Sequence, residues 1–151
     1  MKSAVKRQLV LGLALAATLP AAWPLTRGTT DLGQAFVSGG ITPDEIDALK
    51  DEKKQYSLAV LTVARGSGAY LSDVHVTIVD AKQQRVLDTV MDGPWLLVNL
   101  PAGRYRVRAA LGSVEQEQAV ALGAQDHRQA NFSFDTHDEV EKPNKADSDA
   151  N

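Results

Sequence analysis

Cysteine is absent from the 151-residue chain. No disulfide framework, thiolate zinc or iron–sulfur site, thiol nucleophile or lipid-modified cysteine is therefore open to it. Long apolar runs are also missing: the longest, Leu9 to Leu19, falls well short of the roughly 20 residues that a membrane-spanning helix needs. Aromatic residues are scarce, at 5%. Excess basic charge is lacking too. Once Lys2, Lys6 and Arg7 are set aside as part of a leader, 13 basic residues face 19 acidic ones, a formal charge of −6. That sign disfavours a nucleic-acid partner, whose phosphates attract cationic surfaces. What is present is ordinary for a folded chain: 44% hydrophobic and 23% charged residues, which excludes a collagen-like or wholly disordered protein.

The N-terminus has the three parts of an export signal. A basic stretch (Lys2, Lys6, Arg7) precedes the apolar run, and small residues Ala21 and Ala22 follow it. Residues 1–22 are therefore expected to be a signal peptide, cleaved after Ala21 or Ala22, and the mature protein to be periplasmic or secreted, with no transmembrane segment. Residues 23–42, rich in Gly, Thr and Ser, are expected to be a flexible linker. In Thr42-Pro43-Asp44-Glu45 a helix start is legible: Thr42 can cap, Pro43 suits the first helical position and Glu45 can close a capping box. A helix is predicted over 43–54, acidic in its first turn and basic in its last. Its apolar face is narrow, essentially Ile46 and Leu49, so it must lean on something else. From residue 136 to 151 the chain is acidic and nearly devoid of apolar side chains, which predicts a disordered tail.

Between residues 57 and 135 the apolar period is two. Strands are predicted near 57–65, 74–80, 84–91, 94–100, 104–111, 114–122 and 127–135, with turn chemistry in the intervals. Seven short strands without an intervening helix argue for an all-β antiparallel sandwich, preceded by one short α-helix. One hairpin can be registered from sequence. If Gly112-Ser113 is a two-residue turn with Gly in the first central position, Leu111 faces Val114, Val107 faces Gln118 and Arg108 faces Glu117. In that register the charged residues of both strands share one face.

From Tyr70 to Ala109 the sequence YLSDVHVTIVDAKQQRVLDTVMDGPWLLVNLPAGRYRVRA resembles the carboxypeptidase regulatory-like domain family. The likeness rests on the alternating Val74, Val76 and Ile78, the Asp92-Gly93 turn, and Leu100-Pro101-Ala102-Gly103 followed by Tyr105 and Val107. The chain is also similar to small exported proteins of Gram-negative bacteria that place a Ser-Gly-Gly, here Ser38 to Gly40, and an acidic helix before such a domain. The first resemblance implies a seven-stranded Greek-key sandwich of transthyretin type, noncatalytic and used as an accessory or interaction module. The second implies no activity. Pro94-Trp95 after the Asp-Gly turn departs from the family pattern.

Candidate functional residues are few. His75, His127 and His137 show no ligand spacing, so no metal or other cofactor is expected, and no nucleophile or phosphate-binding motif occurs. Enzymatic activity is accordingly not expected. Arg104, Arg106 and Arg108 form a basic ridge, with same-face residues about 7 Å apart. It reads either as a solvated strand face answered by glutamates or as part of an anion site. Apolar residues on the wrong parity are more informative. Leu61 and Val63 oppose Leu58 and Val60 on one strand, while Trp95 and Leu97 oppose Leu96 and Val98 on another. A strand with one solvated face alternates more cleanly, so something covers this second face. The helix is one candidate cover; a protein partner or second copy is another, and a shallow ligand groove around Trp95 a third. The reading that follows is an exported, noncatalytic interaction or structural accessory module. Its alternative is a small-ligand or glycan-binding protein using Trp95 and the three arginines.

Overall fold

The structure, a computed structural model, describes residues 25–136. The expected leader (1–22) and the tail beyond Thr136 lie outside the described residues. The described residues form nine strands and one short α-helix that ends in a 3-10 turn (Lys53–Gln55): β1 (Thr26–Thr29), β2 (Ala35–Gly39), α1 (Pro43–Glu52), β3 (Leu58–Ala64), β4 (His75–Asp80), β5 (Arg85–Val90), β6 (Trp95–Val98), β7 (Gly103–Leu111), β8 (Val114–Leu122) and β9 (Arg128–Phe134). The strands make two sheets, one ordered β1-β2-β6-β3-β9 and the other β5-β4-β7-β8.

Strands β3 to β9 occupy the seven segments read from alternation. The β7–β8 hairpin has the register that the Gly112-Ser113 turn dictates: Leu111 pairs with Val114, Val107 with Gln118 and Arg108 with Glu117. Gly112 supplies the positive φ, 57°, that this turn requires at its first central position. Three details differ from expectation. β9 runs parallel to β3, so the strands are not all antiparallel. Gly103, which falls in the turn interval before the strand expected over 104–111, has φ 159° and already begins β7 in extended backbone. The strand count is nine because the segment expected to be a linker is a hairpin.

That hairpin is β1–β2, which pairs through β2 with β6. Thr30 and Gly33 make its turn: the Thr30 hydroxyl accepts from the Leu32 and Gln34 backbone N–H groups, and Gly33 takes φ 82°. Gly28 leaves room for the Phe36 ring, which would lie 2.7 Å from an added Cβ. The Ser-Gly-Gly that follows is fixed by close packing. The Ser38 hydroxyl accepts from the Asp92 N–H at 3.1 Å, and a Cβ on Gly93 would strike the Gly39 carbonyl. Gly40, at φ 95°, lets Trp95 sit against the backbone. The small residues that made 23–42 look like a linker thus serve close approach between β2 and the Asp92-Gly93 turn.

The two sheets pack face to face over a core in which Leu58, Val60, Leu96, Phe132 and Phe134 of the first sheet meet Val76, Ile78, Val86, Tyr105 and Val107 of the second. The opposite face of the first sheet is also apolar. Val37, Ala59, Trp95 and Leu97 form a second cluster there, capped by Leu49 of α1 with Leu25, Tyr56 and Leu61 at its margin. The helix is the cover that the wrong-parity residues demanded. Thr42 and Glu45 form the expected capping box, and the Glu45 carboxylate also accepts from the Ile41 N–H at 2.8 Å. Arg27 of β1 grips Glu52 through both terminal guanidinium nitrogens, at 3.0 and 2.6 Å, and so fastens the end of the helix to the hairpin.

Both lateral openings between the sheets are bridged. On one side Asp31 in the β1–β2 turn donates its N–H to the Val86 carbonyl at 2.9 Å and accepts from Arg85 Nε at 3.0 Å. On the other, the side-chain amides of Gln116 and Gln118 on β8 donate to the Ser133 and Asn131 carbonyls of β9. These carbonyls lie on the unpaired edge of β9, where an open strand would otherwise template pairing.

Replacing the fully buried Leu49 with alanine removes the centre of the cover and is expected to cost about 2–5 kcal/mol. Chemical denaturation together with binding of a hydrophobic dye checks this. A smaller loss without added dye binding would show that the helix does not carry the second cluster. The Arg27 guanidinium, chiefly by hydrogen bonding, holds the Glu52 carboxyl below its usual value against the opposing effect of burial. The stability this pair adds is present above the ordinary glutamate range and is lost as pH falls through the lowered value. At this partial exposure it amounts to less than about 1 kcal/mol. The melting-temperature gap between wild type and E52Q should therefore narrow as pH drops from neutral into the acid range. A gap that is constant with pH would contradict it.

Candidate interaction surface

Four of the residues singled out from sequence lie on the helix side of the first sheet. Leu97 is fully buried, Trp95 is 7% exposed and Leu61 borders the same cluster. These three are packing residues, not an open surface, because α1 takes the place that a partner or ligand would have filled. Val63 is half-buried farther along β3, where the chain bridges back at Tyr70. The Trp95 ring lies under the Lys53 ammonium, 5.3 Å from its centroid, and its indole N–H is buried without a partner among the described residues. A groove around an accessible Trp95 is therefore not what the structure holds.

The outer face of the second sheet is different: among the described residues no element crosses it. The register sets Arg104, Arg106 and Arg108 of β7 between Val79 and Thr77 of β4 on one side and Ala121, Ala119 and Glu117 of β8 on the other. All three arginines are exposed, but their surroundings grade along the strand. Arg108 bonds Glu115 at 3.1 Å and Glu117 at 3.2 Å, while Arg106 reaches Glu117 only at 3.9 Å. Arg104 has no carboxylate within bridging distance among the described residues. The ridge is thus neutralised at the turn end of the hairpin and cationic at the other. Alanines at 119 and 121 leave a hollow of about 470 Å³ between Arg104, Arg106, Asp80 and Gln83. Asp80 is engaged by its own turn, accepting from the Lys82 and Gln84 N–H groups at 2.8 and 2.9 Å.

The corner beneath this hollow is built by the Leu-Pro-Ala-Gly-Arg-Tyr segment. The Tyr105 hydroxyl donates to the Pro101 carbonyl at 2.7 Å, and Leu100 exchanges two hydrogen bonds with the Ser57 hydroxyl, at 2.7 and 2.9 Å. Burial, with Asp80 adding to it, raises the Tyr105 pKa, so the phenol stays protonated and keeps donating. These contacts anchor β7 and hence the arginines at their fixed spacing.

The histidines do not converge. His75 pairs with Asp88 on the open face, and His127 Nδ1 lies 2.7 Å from the Tyr56 carbonyl; His137 lies outside the described residues. Among the described residues no three metal-ligating side chains gather, and no helix is long and apolar enough to cross a membrane. Sequence reasoning missed Gln116 and Gln118. The signal was available, since two glutamines at inward parity on an edge strand need partners.

The graded ridge makes a prediction about stability. Arg108→Ala removes two exposed ion pairs and should cost up to about 1 kcal/mol, whereas Arg104→Ala should change stability by less than about 0.5 kcal/mol. Urea titration of the two variants distinguishes them. A larger loss for Arg104→Ala would show that this arginine serves the fold rather than the surface.

No family model matches the chain, and neither a curated protein nor a solved structure is found to match it.

Proposed function

We propose that the protein is an exported, noncatalytic interaction or accessory module, and that the open face of its second sheet is the contact surface. The observation that carries this reading is the asymmetry of the two outer faces. One is apolar and sealed by α1, whereas the other is uncovered among the described residues and presents two weakly neutralised arginines beside Val79, Ala119 and Ala121. A sheet stabilised from one side leaves the other free for a partner. The seven strands β3 to β9 and the Tyr105 corner support placing the domain near the carboxypeptidase regulatory-like, transthyretin-type sandwiches. The three-part N-terminus supports export to the periplasm. The alternative, a small-ligand or glycan-binding protein using Trp95 and the three arginines, loses the Trp95 half of its support because that ring is buried, and retains only the exposed arginines.

Two measurements test the reading. Mass spectrometry of the chain recovered from the cell envelope should give a mature N-terminus at Ala22 or Trp23; an intact leader on protein confined to the cytosol would contradict export. A photo-crosslinking residue in place of Val79 should capture one discrete species in the envelope, while the same residue in place of Asp51 on the helix should not. Equal, diffuse labelling at the two positions would overturn the proposed surface.

A further inference from the structure

Strand β8 is nine residues long and, among the described residues, has a neighbour within its sheet on one side only. Leu111 and Val114 flank a two-residue turn. Alternate residues from Val114 to Leu122 therefore direct their backbone groups to β7, and the N–H and C=O of Glu115, Glu117, Ala119 and Ala121 point out of the sheet. The first half of this edge is guarded, because Glu115 and Glu117 place charge along it. The second half is not. Ala119 and Ala121 are exposed and carry nothing that blocks an incoming backbone.

Two hollows flank that unguarded stretch. The one on the outer face brings Arg104 and Arg106 to Ala119 and Ala121, with one carboxylate, Asp80, on the side away from β8, where its own turn holds it. The other, about 270 Å³, lies between Ala119 to Ala121 and the start of β9, at Arg128 and Gln129. Arg128 has one acidic neighbour, Asp126, at 3.6 Å. A strand laid beside β8 would send alternate side chains to the two sides, and each side offers guanidinium groups. The methyl side chains at 119 and 121 leave an unobstructed path across the face from such a strand to Arg104 and Arg106.

We infer that the Ala119–Ala121 edge of β8 is an acceptor site for an extended acidic peptide of a partner protein, which adds a fifth strand to the second sheet. Main-chain pairing supplies the affinity, and the three arginines select acidic side chains. The inference rests on the interaction-module reading and specifies where and by what chemistry the partner is held.

The test uses the full mature chain and a fluorescent ten-residue peptide of alternating glutamate and threonine, followed by anisotropy. The peptide should bind with salt-dependent affinity, and the lysine–threonine counterpart should not bind. A119P removes an N–H that makes no bond within the hairpin, so it should keep the melting temperature yet weaken binding by about tenfold or more. The R104A/R106A double variant should weaken it similarly. Should A119P fail to fold, peptides N-methylated on every second amide, in both registers, give the same readout on the native protein. One register should lose about tenfold in affinity and the other little. No binding, equal binding by both methylated peptides, or a dimer of the chain that A119P dissolves would each overturn the assignment. A discrete crosslink from position 79 alongside failure of every peptide would overturn the edge site while leaving the interaction-module reading standing.

Discussion

The structure depends on burying β6 from both sides. Trp95, Leu96, Leu97 and Val98 are all buried, and the strand lies between β2 and β3 in the middle of its sheet. Leu96 and Val98 belong to the core between the sheets, whereas Trp95 and Leu97 face away from it. Four apolar residues on one short strand cannot all be satisfied by a two-layer arrangement, since alternation sends half of them outward. A third layer is required, and α1 provides it. The β1–β2 hairpin then follows from the same demand: Val37 extends the apolar floor under the helix, and Arg27 holds the helix end through Glu52. A domain without disulfides thereby gains a second cluster in place of a cross-link.

Much of this was legible in the residues. The seven strands from Leu58 to Phe134 announced themselves by alternation and turn chemistry, and the Gly112-Ser113 turn fixed a nine-pair register because turn type and loop length leave one solution. The parity of Leu61, Trp95 and Leu97 pointed to a covered second face before any cover was known. The hairpin β1–β2 was hidden by its own packing. Its glycines and serine exist to let Asp92, Gly93 and Trp95 approach closely, and only Phe36 and Val37 remain to signal a strand. The parallel pairing of β9 with β3 was also out of reach, because no local pattern encodes which sheet a final strand joins.

The candidate surface was half legible for a related reason. Spacing on β7 placed Arg104, Arg106 and Arg108 on one face, and the register already set Glu117 against Arg108. What sequence could not grade was the surrounding charge: Arg108 sits between two glutamates, Arg106 is at the limit of reach and Arg104 stands beside alanines. The cover on one outer face and the vacancy on the other are consequences of a single decision in the fold, the side on which α1 packs. That side is set by Trp95 and Leu97. The proposed contact surface accordingly lies on the opposite sheet.

The central claim is that hairpin, helix and β6 stand or fall together. Native-state hydrogen exchange, followed residue by residue, tests it most directly. The amides of Val37, Leu49 and Leu97 should exchange only through global unfolding, with one common free energy. Val37 and Leu49 exchanging through a separate opening, well below the energy that protects Leu97, would show that the third layer is an attachment and that β6 is stable without it.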